Sequence, residues 1–372
     1  MINSIRTFFE GSSWAAMVYI GLLLSILFWL ICLFGITYFY YRSYRYKQYY
    51  NKIYPSLQSF IYEHILSGNS PAHFPIEQLQ LPKDKPLVRK VIRQILREFN
   101  QAIGGEKGKA IGILFTQMGL YHQAISELKH ASKNKAASIC CLADLAEMEL
   151  SLPAEIIEKL LNHQQVDIRV ASYTYLLRTQ GQDAFERVFD RLRAINSLDA
   201  IAIYQAVISS NYTGQAYAFH QWLSAQKTYA SNALLLDLMI HYHESNEEAL
   251  WQLMCSTSDK NVQKKVINTF GKLGISNSET RLQALYNEST DEQIHIEIIK
   301  ALGRLGQGQS LTFLIQQFQQ AEHSISLKKH LYKSILAQGR YNHSLIEKLE
   351  ENLTADMHKL IQVASNPMTQ YI

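Results

Sequence analysis

Charge is missing from Gly11 to Tyr41, and acid is missing from Gly11 as far as Glu63. That run excludes an ordinary water-exposed N-terminal segment, because about 20 consecutive apolar residues suffice to cross the hydrocarbon core of a bilayer as a helix. Cysteine is scarce. Cys32 lies in the apolar run, Cys140 and Cys141 are adjacent, and Cys255 stands alone. Such spacings suit reduced, buried thiols in a cytosolic domain better than a disulfide framework. There are only 7 prolines and 17 glycines in 372 residues, and β-branched runs of period two are hard to find, so the turn-rich strands of a sandwich or barrel are not expected. Leu, Ile, Ala, Gln, Glu and Lys dominate instead, which is helical composition. The net charge of +4 forces no nucleic-acid footprint.

The apolar run is longer than the roughly 7–15 residues of a signal-peptide core, and no small-x-small cleavage pattern follows it. It is expected to be a retained transmembrane helix over 14–41, preceded by a short segment over 1–13. Trp14, Tyr38, Tyr40, Tyr41, Arg42 and Arg45 are expected to anchor it at the interfaces, since amphipathic rings and basic side chains belong at headgroup level. The tyrosines continue through Tyr44, Tyr46, Tyr49 and Tyr50. Arg6 is offset by Glu10, whereas Arg42, Arg45, Lys47 and Lys52 follow the run unopposed. Positive charge stays cytoplasmic. A single-pass protein of the inner membrane is therefore expected, with its N-terminus outside and the remainder in the cytoplasm, touching lipid through the anchor. Residues 42–86 read as a basic, tyrosine-rich juxtamembrane helix near Lys52–Leu66 and a linker that separates this helix from everything downstream.

The C-terminal third repeats itself. Asp259, Ile267, Gly271, Leu273, Gly274, Ser278, Thr280 and Leu282 recur 32 residues later as Asp291, Ile299, Gly303, Leu305, Gly306, Ser310, Thr312 and Leu314. A fixed period of this size marks stacked structural units. Asp259 and Asp291 suit helix N-caps, Gly274 and Gly306 suit the left-handed residue that closes a helix, and Ser278 and Ser310 are expected to cap a second helix. Val262, Val266, Phe270 and Leu273 share one helical face. Gly271 and Gly303 fall inside the first helix, where glycine costs up to about 1 kcal/mol relative to alanine; either a neighbouring helix approaches closely there or the last turn is frayed. Fainter copies lie at Val166–Gly181 and on to Gly339.

The Asp167-Ile-Arg169-Val-Ala171 stretch and the Leu-Gly helix ends resemble HEAT repeats. The resemblance implies an all-α chain, an α-solenoid of helical hairpins over 87–372 that serves as a scaffold for protein contacts. The order of anchor, helical region and HEAT-like units is similar to a Bacteroidota-type family of uncharacterised membrane proteins. That resemblance implies a partner in a membrane enzyme complex, such as a glycosyltransferase. Ile111–Ala131 resembles one tetratricopeptide unit, with Gly112, Phe115, Gly119, Tyr121, Ala124 and Ala131 in register, but Pro153 stands where a second copy needs glycine.

No catalytic signature accompanies the repeats. Gly104–Lys109 has neither the leading glycine nor the trailing Ser or Thr of a phosphate loop, and reads as a helix-breaking linker. His241 and His243 are two apart, so on a helix they point in different directions. The reading is a binding protein without cofactor or metal, and not an enzyme. A HEAT-like lyase or metal-dependent hydroxylase is the alternative, and an organiser that self-associates through the membrane helix is a third reading, weakened by the wide spacing of Gly21 and Gly35. Arg89, Arg93 and Arg97 form a stripe on one amphipathic helix, read either as a solvated face or as a contact for anionic headgroups or an acidic partner.

Overall fold

The computed structural model describes residues 13–67, 73–79, 81, 85–209, 218–306, 309–320, 325–338, 346, 347 and 349. Among them all regular structure is helical, as the composition predicts. The chain divides into two compact units, Met1–Ile156 and Ile157–Ile372, with the boundary inside the stretch 87–372 that the sequence reads as one body.

The first unit begins with α1, Ser13–Ile61, a single helix of 49 residues. At 1.5 Å per residue it is about 70 Å long, more than twice the thickness of a hydrocarbon core. By length and composition it can cross a membrane, a test that a signal sequence near the N-terminus also meets. Tyr38, Tyr40, Tyr41, Arg42 and Arg45 are exposed on it; the side chain of Trp14 lies outside the described residues. Beyond the charge-free run the helix does not stop. Its second half buries Ile53, Leu57, Phe60 and Ile61 and packs on α2, Pro86–Ile103. The expected separation at the linker is therefore corrected: the juxtamembrane helix is part of the core of this unit. Tyr46, Tyr50 and Tyr54 share a face one turn apart. The Tyr46 hydroxyl donates to Gln94, the Tyr50 hydroxyl donates to Glu98 Oε2 at 2.7 Å, and Tyr54 stacks on Phe99 with 5.7 Å between centroids.

Three further helices complete this unit: α3, Gly105–Gln117, α4, Leu120–Lys129, and α5, Lys135–Glu147. The break before α3 lies at Gly104 and Gly105, both at φ +60°, and the helix that starts at Gly105 runs on through Lys109, so the linker read at Gly104–Lys109 is shorter than expected. α3 and α4 form the hairpin expected of the tetratricopeptide-like stretch, turned by Gly119 at φ +76°. Gly112 is glycine for a packing reason, since a Cβ there would lie 2.9 Å from the Met148 carbonyl oxygen.

After α6, Ala154–Leu161, the second unit runs through α7, Val166–Gln180, and α8, Phe185–Phe189. α9, Ser197–Ser209, α10, Tyr229–His241, and α11, Glu247–Ser256, follow. The repeat itself comprises α12, Lys260–Leu273, α13, Glu279–Glu288, α14, Glu292–Leu305, α15, Leu311–Gln320, and α16, Ile325–Gln338. α10, α12, α14 and α16 pack one on the next, and α11, α13 and α15 each pack against the helix that follows. Asp259 and Asp291 cap α12 and α14 by accepting from Asn261 N and Gln293 N at 2.8 and 2.9 Å. Gly274 and Gly306 close the same helices in the left-handed region. Gly339 lies outside the described residues.

The serine caps are a correction. The Ser278 hydroxyl donates back to Ile275 O at 2.6 Å. That of Ser310 donates to the buried Glu279 carboxylate and accepts from Gln283 Nε2 at 3.1 Å. The helix that follows Ser278 starts without a side-chain cap.

Gly271 and Gly303 are close-approach positions. A Cβ on Gly271 would lie 2.8 Å from Ala301 Cα on α14, and one on Gly303 would lie 2.9 Å from Ser334 Cα on α16. Gly303→Ala is therefore expected to destabilise the protein. On an unconstrained helix the change would gain up to about 1 kcal/mol, but overpacking costs about 1–3 kcal/mol. A lower melting temperature of the full chain in detergent is the expected result; a higher one would mean that α14 and α16 do not approach this closely.

Candidate functional site

In the second unit α9, α10 and α12 leave a groove between them of about 490 Å³. Its lining is apolar along Ala200, Ile201, Ala233, Leu234 and Ile240, with Tyr204, Tyr229 and His241 at the edge and Asp237, Lys265 and Lys272 on the α10 and α12 walls. α9 has an apolar sequence whose inner residues, Ile203, Ala206 and Val207, are fully buried. Its outer face keeps Leu198 and Ile201 in water, 78% and 58% exposed. Lys265 Nζ meets Asp237 Oδ1 at 2.6 Å across the groove wall. Lys272, two turns further along α12, is exposed and makes no ion pair among the described residues. The arrangement offers an apolar floor with Asp237, Lys265 and Lys272 along its walls.

The His241–Glu244 stretch is occupied by structural work. His241 Nδ1 shares a hydrogen bond with the Tyr204 hydroxyl at 3.3 Å. His243 turns the chain at φ +53°. Glu244 accepts from the backbone N–H of Phe219 at 2.7 Å and of His220 at 3.0 Å, and meets the His220 ring, so it caps the short 3₁₀ turn Phe219–Trp222. Among the described residues no three His, Cys, Asp or Glu side chains converge as a metal site would require.

The arginine stripe on α2 splits by position. Arg93 turns inward: its Nε donates to Asp144 Oδ2 at 2.7 Å, and Nη2 lies 3.0 Å from Cys141 Sγ. The side chains are 11% and 2% exposed. Arg97 Nη2 lies 2.9 Å from Asp144 Oδ1, close enough for strong attraction but off the hydrogen-bonding direction. Glu127 completes the cluster, accepting from Cys141 Sγ at 2.9 Å and lying 3.7 Å from Arg93. Burial pushes the Cys141 thiol up to about 12, so this sulfur stays protonated and unreactive at neutral pH. Arg93 is thus the centre of an internal charge cluster, Arg97 is half-buried on its edge, and Arg89 is half-buried beside it on α2. Asp144 carried a signal: a lone acid amid Cys140, Cys141, Leu142, Leu145 and Ala146 needs a cation to be buried.

No family model matches the chain, and neither the curated proteins nor the solved structures gave a match.

Removing one partner of a buried ion pair strands the other. Asp144→Ala is expected to cost about 3–5 kcal/mol, most of it regained when Arg93 is also made Met. Chemical denaturation of the single and double variants reads this, and equal loss in both would mean that Arg93 is not held by Asp144.

A second expectation concerns pH. His330 on α16 is half-buried, and burial first, then Lys300, Lys329 and Lys333, push it from 6.5 down to about 4, with Glu297 opposing weakly. The native state therefore holds this ring neutral where the unfolded chain protonates it. Its contribution to stability is present above about pH 6.5 and is lost as pH falls toward 4. His330→Gln is expected to flatten melting temperature against pH across that window, and an unchanged slope would place the ring in free solvent.

Proposed function

We propose that this protein is a membrane-anchored docking scaffold. In this reading the charge-free part of α1 is a retained single-pass anchor of the inner membrane, with the N-terminus outside. The helical body is cytoplasmic, a HEAT-like α-solenoid that binds a protein partner and carries out no reaction itself. A membrane enzyme complex, such as one built around a glycosyltransferase, is the class of partner that the family resemblance suggests.

The groove carries the reading: a helical body with an apolar cleft and exposed Leu198 and Ile201 beside it. Exposed apolar area of this kind, rimmed by polar groups, marks protein contacts. The 32-residue recurrence of capping aspartates, closing glycines and close-approach glycines supports the repeat label.

Two measurements test the anchor and its orientation. The full chain is expected to stay in the membrane pellet after alkaline carbonate washing, whereas a chain starting at Arg42 keeps the Tyr46, Tyr50 and Tyr54 contacts and is released. A reporter active only outside the cytoplasm, fused after Ile372, is expected to be silent. Carbonate release of the full chain would remove the anchor, and reporter activity would reverse the topology. Crosslinking in native membranes followed by mass spectrometry tests the docking role, with a stoichiometric protein partner as the expected result.

A further inference from the structure

The described part of the second unit exposes few large apolar side chains: Val166, Leu198, Ile201, Tyr229, Ile325 and Leu336. Ile201 and Tyr229 line the α9–α10–α12 groove, and Leu198 lies three residues before Ile201, on the same face of α9. Three of these six side chains thus gather at one apolar recess. Fully burying one such side chain is worth about 1.5–3 kcal/mol, so a ligand with its own apolar side chains gains most at this place.

Charge is distributed just as unevenly. α12, which forms one wall of the groove, carries Lys260, Lys264, Lys265 and Lys272 and no acid. α16 carries Lys328, Lys329 and Lys333 and no acid, while α14 between them is balanced. The helices that flank this row carry no such excess: α11 has Glu247 and Glu248 and no base, and α15 has no charge at all. Positive charge therefore follows the packed row from the groove outward. It is sparse and interrupted, because Lys260 is paired with Asp291 and Lys265 with Asp237, both at 2.6 Å, and Lys300 with Glu297 at 2.8 Å.

We propose that the groove between α9, α10 and α12 docks an acidic amphipathic segment of a partner protein. Its apolar side chains enter beside Ile201 and over Leu234, and its carboxylates face Lys272 and the lysines beyond. This rests on the docking reading above and specifies its site and chemistry. A nucleic acid fits less well, since a phosphate chain gains nothing from the apolar floor and meets Asp237 and Glu297 among the cations. An anionic lipid surface is flat and would leave the recess unfilled.

The test uses the full chain in zwitterionic nanodiscs and a short fluorescein-labelled helical peptide with leucines one turn apart and glutamates elsewhere. Matched peptides with lysine for glutamate, or serine for leucine, serve as controls. Binding of the acidic leucine peptide alone is expected. Lys272→Glu and Ile201→Asp are each expected to weaken it about tenfold, equivalent to about 1.4 kcal/mol. Both residues are exposed, so an unchanged melting temperature confirms that the fold is kept. Equal binding of the basic peptide, or wild-type affinity in both variants, overturns the proposal. So does displacement of the peptide by single-stranded DNA or by phosphatidylglycerol vesicles, which would assign the face to phosphate. A crosslinked partner that is retained by both variants leaves the scaffold reading standing and removes this groove from it. Peptide binding that responds to both substitutions, with no partner in membranes, supports the groove and counts against the scaffold reading.

Discussion

The second unit depends on how closely its successive helices approach. At Gly271 and Gly303 the facing backbone lies where a Cβ would be. That proximity makes available hydrogen bonds that a wider spacing forbids. The Ser334 hydroxyl donates to the Ile299 carbonyl at 2.9 Å, and the Gln338 amide donates to the Leu302 carbonyl at 2.6 Å, both from α16 to the main chain of α14. Ser334 and Gln338 are one turn apart, so the two bonds fix rotation as well as distance. With rotation fixed, Phe270, Leu302 and Ile335 fall inside the row and are fully buried. The glycine cost within each helix is offset by contacts that only glycine permits.

The same proximity has an electrostatic consequence. Helices in close contact present their outer residues as one surface, so the lysines of α12 and α16 add their fields. His330 on α16 shows the effect locally: burial first, then Lys300 of α14 and Lys329 and Lys333 of its own helix, push this half-buried imidazole down to about 4. Asp237 and Glu297 relieve part of the repulsion, each holding one lysine. What remains is an excess of positive charge next to an apolar recess.

Local interactions were legible in the sequence, and distant ones were not. Asp259, Asp291, Gly274 and Gly306 act within a few residues of themselves, and each was read correctly in type and place. The helical class followed from composition for the same reason. Ser278 and Ser310 were misread because a hydroxyl has several partners within reach. Ser310 found one 31 positions away, in Glu279. Arg93 looked like part of a solvated stripe because Asp144, its partner, is 51 positions away. The groove was invisible because its three walls come from helices spread between Ser197 and Lys272. Leu198 and Ile201 read as ordinary members of an apolar helix until their exposure was known.

The tyrosines of α1 show why one residue type could not be assigned from its flank alone. A tyrosine has an apolar body and a polar tip, which suits a headgroup layer and suits equally a helix interface whose rim carries acceptors. Tyr38, Tyr40 and Tyr41 remain exposed, as an interfacial belt requires, while Tyr46, Tyr50 and Tyr54 are used by Gln94, Glu98 and Phe99. The division falls within two turns of one unbroken helix. Tyr46 lies five residues beyond Tyr41, about 8 Å along the axis. With the charge-free run placed across a bilayer as proposed, α2 is therefore held directly beneath the headgroups, with helix rather than flexible linker between. Arg42 and Arg45 occupy that short interval, so in that placement basic side chains form a collar between the membrane and the first packed contact.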